Sequence, residues 1–347
     1  MTMSLNRALI FKKVPTGSLP VPGEDLATEP VTQCDLNSAP ANGILVQSLY
    51  ASFDPYMRGR MRGAERKSYV PAYKLGTPVD TFAIGKVLKT NNPAYQEGQL
   101  VFGELPIQEY VAVEETSISR VRPLENPLGL EDVRVFLGPL GMPGLTAYSS
   151  LYKIGKPKRG ETIFVSAASG AVGQLVGQLA KREGLRVIGS VGSDEKLAYI
   201  LNELGFDAGF NYKREKPREA LARLTPEGIN IYYDNVGGDH LEAALDALND
   251  FGRVVACGMI SDVSGAPYPV KNIHAVITKR LYMQGFIVAD AEFGPAYFME
   301  HQANVQRWIK DGSIKCLFHE TVGVENAAEG LVGIFEGKNK GKALLKF

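Results

Sequence analysis

Cysteine, histidine and long apolar runs are all scarce in this chain of 347 residues. The three cysteines, Cys34, Cys257 and Cys316, lie far apart, which fits neither a disulfide framework nor the close Cys-x-x-Cys spacing of a structural zinc site. No window approaches the ~20 apolar residues of a membrane span, and the amino-terminal residues show no signal-peptide pattern. These absences favour a protein of the reducing cytoplasm.

An excess of charge of one sign is also missing. Lysine plus arginine number 38, and aspartate plus glutamate number 38. The chain therefore has no broad basic field that would collect nucleic acid or an anionic membrane. We expect a small molecule as its partner, and a length that suits two domains of roughly 100 to 200 residues each.

The pattern along the chain changes near Glu161. Before it, residues 43–113 contain short strands separated by turns, whereas after it β-branched apolar runs alternate with amphipathic segments of helical length. This alternation predicts a parallel sheet with crossover helices. The predicted strands suit a doubly wound (Rossmann) α/β fold; they are 162–166, 186–190, 209–212, 229–234, 253–257 and 281–288.

Glycine and proline residues interrupt the strand and helix patterns near residues 140 and 310, which places the domain limits there. Residues 141–310 are predicted to form the dinucleotide-binding domain. Residues 1–140 are predicted to form a smaller, mainly-β domain, to which the tail 311–347 returns after a helix over 293–310.

A glycine-rich loop follows the first strand of the predicted parallel sheet. Residues 168–173 read Ala-Ser-Gly-Ala-Val-Gly, a Gly-x-Gly-x-x-Gly motif whose first glycine is alanine. Gly170 would let the backbone approach a pyrophosphate, and Gly173 would let the next helix pack against the strand. A glycine turn without a ligand is the alternative. An apolar stripe supports the helix; its members are Val172, Leu175, Val176, Leu179 and Ala180.

The end of the second strand indicates which dinucleotide is bound. An NAD-binding unit carries an acidic residue about 20 positions after its glycine loop, where the carboxylate holds the ribose 2′-hydroxyl. Residues 189–193 contain no carboxylate, and Lys196 follows them. A missing acid and an added lysine suit a 2′-phosphate, so NADPH is favoured. A solvated Lys196 paired with a neighbouring acid is the other interpretation.

Seven segments together carry a specific combination of residues: 54–58 (Asp-Pro-Tyr-Met-Arg), 141–148, 167–173, 191–196, 210–213, 234–238 and 251–261. They resemble the leukotriene B4 dehydrogenase, prostaglandin reductase and plant alkenal double-bond reductase group of the medium-chain dehydrogenase/reductase superfamily. The resemblance covers most of the chain. It implies a GroES-like fold for the mainly-β domain, and a homodimer joined through the last strand of the parallel sheet, 281–288.

The resemblance also implies the residues that contact NADPH. Those at the pyrophosphate are Gly170, Ala171, Val172 and Gly173, those at the adenosine phosphate end are Lys196 and Tyr212, and Asn235 approaches the nicotinamide half. Further implied contacts are Cys257, Gly258, Met259, Ile260, Ser261, Phe286, Ile287, Val288 and, in the tail, Asn339. Without the resemblance, packing and turn formation would be the preferred roles of Tyr212 and Asn235.

A catalytic metal is not expected. The four histidines all lie in the C-terminal half, away from the first-domain segment in which zinc-dependent relatives hold their metal. Hydride chemistry without a Lewis acid fits reduction of an activated double bond better than alcohol oxidation. We expect NADPH-dependent reduction of the C=C bond of α,β-unsaturated aldehydes and ketones. A quinone reductase and a catalytically silent NADPH-binding protein are the alternatives.

Tyrosine hydroxyls are the candidate donors to the substrate carbonyl. Tyr56 is the leading candidate, although a packed aromatic is its ordinary role. Many members of the resembled group have a further tyrosine where this chain has Val263, which cannot donate. Either Tyr56 and a ribose hydroxyl of the cofactor suffice, or Tyr268 takes the vacated position. Asp262 is a further candidate as a proton relay, although an exposed turn is its ordinary role. The loops 59–73 and 263–272 are predicted to border the substrate pocket.

Overall fold

The computed structural model describes residues 3–263 and 268–347, which group into two compact units. Among the described residues, the first unit comprises 3–129, 318–339 and 343–347, and the second comprises 130–263, 268–317 and 340–342. Whether residues 1–140 with 311–347 and residues 141–310 fold as independent domains stays a prediction. Within the described residues, no helix has the length and apolarity needed to cross a membrane.

The strands and helices are as follows. The strands are β1 (Met3–Ser4), β2 (Arg7–Phe11), β3 (Leu26–Pro30), β4 (Cys34–Asp35), β5 (Ile44–Ser52), β6 (Thr77–Pro78), β7 (Asp80–Thr90), β8 (Leu100–Pro106), β9 (Tyr110–Val113), β10 (Val121–Pro123), β11 (Thr162–Val165), β12 (Arg186–Val191), β13 (Ala208–Asn211), β14 (Ile229–Asp234), β15 (Leu248–Ala256), β16 (Tyr282–Gly285), β17 (Phe318–Val322) and β18 (Lys342–Lys346). The α-helices are α1 (Tyr56–Arg60), α2 (Met142–Ser150), α3 (Gly173–Arg182), α4 (Asp194–Asn202), α5 (Pro217–Leu224), α6 (Gly238–Ala247), α7 (Ala275–Thr278), α8 (Gly294–Lys310) and α9 (Ala327–Gly333). One π-helical turn, Leu151–Gly155, continues α2, and short 3₁₀ turns occupy Glu115–Arg120, Val133–Leu137, Ile260–Asp262 and Val324–Asn326.

The first unit is mainly β. Its largest sheet has the strand order β10-β8-β7-β5-β18-β17, with β9 also paired to β5. Smaller sheets are formed by β3-β2-β6 and by β1-β4. The tail strand β18 pairs antiparallel with β5, so this part of the tail lies in the sheet of the first unit.

The second unit contains a six-stranded parallel sheet in the order β13-β12-β11-β14-β15-β16. This is the 3-2-1-4-5-6 order of a doubly wound nucleotide-binding fold, which confirms the predicted fold class. β16 is the edge strand, and it is shorter than the predicted 281–288. After Gly285 the chain turns, because the Ile287 carbonyl accepts a hydrogen bond from the Asp290 N–H at 3.0 Å.

Helix α3 packs four of the five predicted stripe residues on this sheet: Leu175, Val176, Leu179 and Ala180 are buried. Val172 is the exception, because it precedes the first residue of the helix and is half-buried. A leucine or valine side chain stabilises the fold by roughly 1.5–3 kcal/mol when it is fully buried. The core on the sheet includes a stack of aromatic rings, in which the centroid of Phe164 lies 5.1 Å from that of Tyr232 and 5.8 Å from that of Phe210.

Helix α8 contributes a fully buried histidine to the second unit. The His301 Nε2 lies 2.8 Å from the Pro139 carbonyl oxygen, and the Gln302 Nε2 lies 3.2 Å from the His301 Nδ1. Burial lowers the pKa of His301 to about 4, although the hydrogen bond to Pro139 opposes this shift. The imidazole is therefore neutral in the folded protein at neutral pH.

This histidine makes the stability of the second unit depend on pH. The folded-state pKa is about 4 and the unfolded value is 6.5, so below pH 6.5 the unfolded chain binds the additional proton. We expect the free energy of unfolding to fall by up to roughly 3 kcal/mol between pH 7 and pH 4 from this group. Urea unfolding at several pH values, for the wild type and for His301→Gln, measures this contribution. An equally steep loss of stability in His301→Gln would contradict it.

Candidate functional site

The glycine-rich loop between β11 and α3 presents unpaired backbone donors. The Gly170 N–H donates to the Ala167 carbonyl at 2.9 Å, whereas the N–H groups of Ala171 and Val172 have no partner within the described residues. No side chain caps the start of α3. Free N–H groups at the start of a helix form a site for an anionic group such as a pyrophosphate.

Gly173 allows the helix to begin directly over the strand end. A Cβ at this position would lie 2.5 Å from the Ala167 carbonyl oxygen and 2.8 Å from the Ala168 Cα. These are backbone atoms, which do not yield as a flexible side chain does. The sequence-based role of Gly173, close packing of helix on strand, is therefore supported by the contacts around it.

A segment of the tail is bound to the same loop, and sequence reasoning missed it. The Gly341 N–H donates to the Ser169 carbonyl at 3.1 Å, and Gly341 forms a β-bridge with Gly170. Gly341 has a φ of +81°, and a Cβ on it would lie 2.1 Å from the Leu317 carbonyl oxygen. An isolated glycine just before an apolar strand is the signal that would have pointed to a close approach of this kind.

The ends of β12 and β13 bring Lys196 and Tyr212 to one place. The Ser193 hydroxyl accepts a hydrogen bond from the Lys196 N–H at 3.2 Å and so caps α4. The Tyr212 N–H donates to the Val191 carbonyl at 3.0 Å. A Cβ on Gly192 would lie 2.9 Å from the Tyr212 hydroxyl oxygen, so a glycine is what allows this hydroxyl to lie over the strand end.

Positive charge is concentrated at this strand end. Burial lowers the pKa of Lys196, the nearby charge of Lys213 lowers it further, and Glu195 opposes both effects. Two lysines that repel each other form a favourable site for a phosphate, because a dianion stabilises both ammonium groups. The residues at this end of the sheet therefore fit the 2′-phosphate of NADPH.

Asn235 follows β14 and is held against the end of β11. Its backbone N–H donates to the Ser166 hydroxyl at 2.9 Å, and its side-chain amide donates to the Ser166 carbonyl at 2.8 Å. The preceding Asp234 is buried and accepts hydrogen bonds at one oxygen from the Val236 and Gly237 N–H groups and from the Tyr232 hydroxyl. Burial raises the pKa of Asp234. This network fixes the loop after β14.

Residues 257–261 after β15 are tied to the same loop. The N–H groups of Cys257 and Gly258 donate to the Asp234 carbonyl at 2.9 and 3.0 Å, and the Ser261 hydroxyl donates to the Val236 carbonyl at 2.6 Å. The intervening Met259 and Ile260 are not buried. Burial raises the pKa of the Cys257 thiol to about 12, so it is not a nucleophile at neutral pH.

Parallel strands end at one edge of their sheet, which explains why these segments lie together. The glycine loop, Lys196, Tyr212 and Asn235 follow β11 to β14, residues 257–261 follow β15, and Phe286, Ile287 and Val288 follow β16. Asn339 belongs to the first unit. The specific contacts of all these residues with a cofactor stay predictions.

In the first unit, Tyr56 opens helix α1. Burial raises the pKa of the Tyr56 phenol, the charge of the buried Asp54 raises it further, and the hydrogen bond with Thr81 and the charge of Arg60 oppose them. Asp54 is itself held by a hydrogen bond from the Ser52 hydroxyl. At neutral pH the phenol is therefore protonated, so it is a hydrogen-bond donor and not a base.

The loop after Tyr56 is fixed by arginine side chains that donate to backbone carbonyls. Arg58 donates to the Ser18 carbonyl at 2.8 Å, and Arg62 donates to the Gly59 carbonyl at 2.6 Å. Tyr73 is buried beneath this loop and donates to the Asp80 carbonyl at 2.8 Å. Tyr69 is 63% exposed and is the tyrosine of this loop that a solute can reach.

Tyr268 lies at the border of the described residues, since 264–267 of the predicted loop 263–272 fall outside them. Its side chain is 41% exposed and hydrogen-bonded to Glu242. Burial, the charge of Glu242 and this hydrogen bond raise the pKa of Tyr268. A catalytic role for this hydroxyl would require its release from Glu242. An Asp262 carboxylate oxygen lies 3.4 Å from the Ser261 hydroxyl oxygen.

Three comparisons with known proteins bear on these sites. Residues 171–300 match the family model described as zinc-binding dehydrogenase, and residues 7–121 match the N-terminal domain of oxidoreductase. The chain is 50% identical to NADP-dependent oxidoreductase RED1 of Cochliobolus heterostrophus, over 99% of this chain and 98% of that protein. It is 42% identical to 2-alkenal reductase (NADP(+)-dependent) of Nicotiana tabacum, over 88% and 87%.

A solved structure extends the likeness to three dimensions. CurA of Vibrio vulnificus, in complex with NADPH, superposes with a TM-score of 0.87 at 32% identity over 98% of both chains. The chain belongs to the medium-chain dehydrogenase/reductase family, in the group that includes these NADP-dependent oxidoreductases. This reductase is thus an NADP-dependent oxidoreductase, and the predicted family is confirmed.

The matched family model is described as zinc-binding, whereas the candidate metal-ligating side chains of this chain are few. Among residues 3–263 and 268–347, no group of three or more histidine, cysteine, aspartate or glutamate side chains is arranged to hold a metal ion. Cys257 and Cys316 lie in the second unit, and burial raises the pKa of both thiols, which disfavours the thiolate form that zinc binds.

Lys196 gives a direct test of the phosphate end. We expect Lys196→Gln to weaken NADPH binding by about tenfold or more and to leave NADH binding unchanged, because only NADPH carries the 2′-phosphate. Isothermal titration of both dinucleotides measures the two dissociation constants. Lys181→Gln, a lysine of α3 paired with Asp207 at 2.7 Å, is the matched control. Equal weakening of NADPH and NADH would show that Lys196 acts on the fold and not on the phosphate.

Proposed function

We propose that this reductase transfers hydride from NADPH to the C=C bond of α,β-unsaturated aldehydes and ketones, giving the saturated carbonyl. The observation that carries the proposal is the protonated Tyr56 phenol, which is a donor and cannot serve as a base. The 42% identity to a 2-alkenal reductase supports the substrate class.

NADPH supplies the hydride for this reaction. The residues of the chain would bind and orient the dinucleotide: the N–H groups of Ala171 and Val172 would bind the pyrophosphate, and Lys196 with Tyr212 would bind the adenosine phosphate end. Asn235 and residues 257–261 would hold the nicotinamide half. Backbone hydrogen bonds already fix the segments around residues 234–236 and 257–261 to one another, so little conformational entropy would be lost there on binding.

Tyr56 donates a hydrogen bond to the carbonyl oxygen of the substrate, where negative charge develops as the β-carbon accepts hydride. The raised pKa of the phenol keeps the proton on Tyr56 in the resting enzyme. The α-carbon then takes its proton from solvent, and the hydrogen bond to the carbonyl oxygen that Val263 cannot supply is left to Tyr56. Tyr268 is a secondary candidate whose hydroxyl must first leave Glu242.

The catalytic role of Tyr56 is tested by Tyr56→Phe, with Tyr69→Phe as the matched control. We expect kcat for a medium-chain 2-alkenal to fall by about 10²-fold in Tyr56→Phe, because one donor to a developing oxyanion is lost. NADPH affinity should not change, and Tyr69→Phe should retain the wild-type rate. NADPH oxidation at 340 nm measures the rates, and calorimetric titration measures the NADPH affinity.

Product analysis with the wild type tests the reaction itself. An allylic alcohol as product, oxidation with a quinone alone, or no oxidation despite tight NADPH binding would refute the proposed reaction.

We further propose that the reductase is a homodimer joined at the edge strand β16. An edge strand offers unpaired backbone groups, and Tyr282 on this strand is 50% exposed. Nearby apolar side chains of the same unit, Phe251 and Ile277, are also exposed. Pairing of two β16 strands about a twofold axis would give the backbone groups of this edge hydrogen-bond partners and would cover Tyr282.

Light scattering after gel filtration tests the dimer. We expect twice the chain mass of 37.7 kDa for the wild type and the chain mass for Tyr282→Lys, since a lysine on the edge opposes pairing. Met299→Lys replaces an exposed apolar residue of α8 and should remain a dimer. A wild-type monomer at micromolar concentration would refute the assembly.

A further inference from the structure

Lys213 lies at the phosphate end of the cofactor site without an ion pair in the described part of the chain. It directly follows Tyr212, and its N–H donates to the Asn211 side-chain oxygen at 3.1 Å. Asn211 in turn donates to Asp194 at the start of α4, at 2.8 Å. These bonds fix the turn after β13 beside the turn after β12. The charge of Lys213 lowers the pKa of Lys196.

The acidic side chains of this region are paired with other cations. Asp194 forms a salt bridge with Arg214 at 2.6 Å, and Glu195 forms one with Lys340 at 3.0 Å. Lys340 is the residue before Gly341, and its ammonium also lies 5.4 Å from the centroid of the Tyr199 ring. Two acids that would repel a phosphate are thus held by cations from elsewhere in the chain.

We propose that Lys213 is a second cation for the 2′-phosphate of NADPH, and that Lys340 is a positioning residue which holds Glu195 away from that phosphate. The proposal rests on NADPH being the cofactor, and it concerns how the chain distinguishes it from NADH. Lys196 lies in the first turn of α4, after β12, and Lys213 lies in the turn after β13, so the two lysines would reach the phosphate from different segments. A dianion between two ammonium groups replaces their repulsion by attraction.

The role of Lys340 follows from the position of Glu195 directly before Lys196 in the chain. Glu195 precedes Lys196 in α4, so a carboxylate without its partner would be free to turn toward Lys196 and compete with the phosphate. The salt bridge to Lys340 neutralises this carboxylate. The Gly341–Ser169 hydrogen bond fixes the segment that carries Lys340 on the glycine loop, independently of the salt bridge.

Two adenosine probes that differ only in the 2′-phosphate test Lys213 in the full-length protein. Adenosine 2′,5′-bisphosphate and adenosine 5′-monophosphate are titrated calorimetrically into the wild type, Lys213→Gln and the control Lys216→Gln, a nearby exposed lysine. We expect Lys213→Gln to weaken binding of the bisphosphate by about tenfold and to leave binding of the monophosphate unchanged. Lys216→Gln should bind both probes as the wild type does.

The outcomes separate this inference from the proposed cofactor. A wild type that discriminates between the probes, with Lys213→Gln indistinguishable from Lys216→Gln, overturns the role of Lys213 and leaves NADPH as the cofactor. A wild type that binds both probes equally overturns the phosphate site altogether. Equal weakening of both probes in Lys213→Gln also overturns the inference, because it indicates a change in the fold.

A double-mutant cycle tests Lys340. We expect Lys340→Gln to reduce the preference for the bisphosphate about threefold, within the range of an exposed ion pair, and Glu195→Gln to abolish this effect when the two are combined. If the role of Lys340 were purely structural, Lys340→Gln would weaken the binding of both probes, and adding Glu195→Gln would not restore it. An effect of Lys340→Gln that is the same with and without Glu195→Gln overturns the positioning role.

Discussion

The close approach of α3 to the end of β11 is the constraint on which the dinucleotide site depends. Gly173 has no Cβ, and any Cβ there would collide with the backbone of Ala167 and Ala168. The helix begins at this short distance, and the N–H groups of Ala171 and Val172 have no hydrogen-bond partner among the described residues. The same loop offers the Ser169 carbonyl to Gly341. One missing methyl group therefore determines both the anion site and the attachment of the tail segment.

The local charge after β12 and β13 depends on which side chains form ion pairs there, more than on the overall composition of the chain. Lysine and arginine balance aspartate and glutamate over the whole chain, yet Lys196 and Lys213 lie close enough to affect each other. This is possible because Asp194 and Glu195 bind Arg214 and Lys340 instead. A local positive field can thus exist in a protein with no net charge, which composition alone does not reveal.

The parallel sheet was predictable because its signals are local. Each strand is a β-branched run followed by a helix-length segment, and only one common topology joins six such units around a glycine loop. The pairing of Gly341 with Gly170 and of Lys340 with Glu195 was not predictable, since nothing in a short window relates residues so far apart in the chain. The burial of Tyr73 was not predictable either, because it depends on the packing of this residue against β7, whose Asp80 carbonyl accepts its hydroxyl. The early end of β16 depends on a turn closed by Asp290, which outweighs the β-propensity of Phe286, Ile287 and Val288.

The attachment of residues 340–342 to the glycine loop has a consequence for folding during synthesis. The ribosome makes the glycine loop, the whole parallel sheet and α8 before it makes Gly341. Until that residue emerges, the Ser169 carbonyl lacks its partner and Glu195 lacks Lys340. A nascent chain with a fully formed sheet therefore still has an incomplete nucleotide site, and the cofactor gives the sheet its full stabilisation only after translation has passed the tail segment.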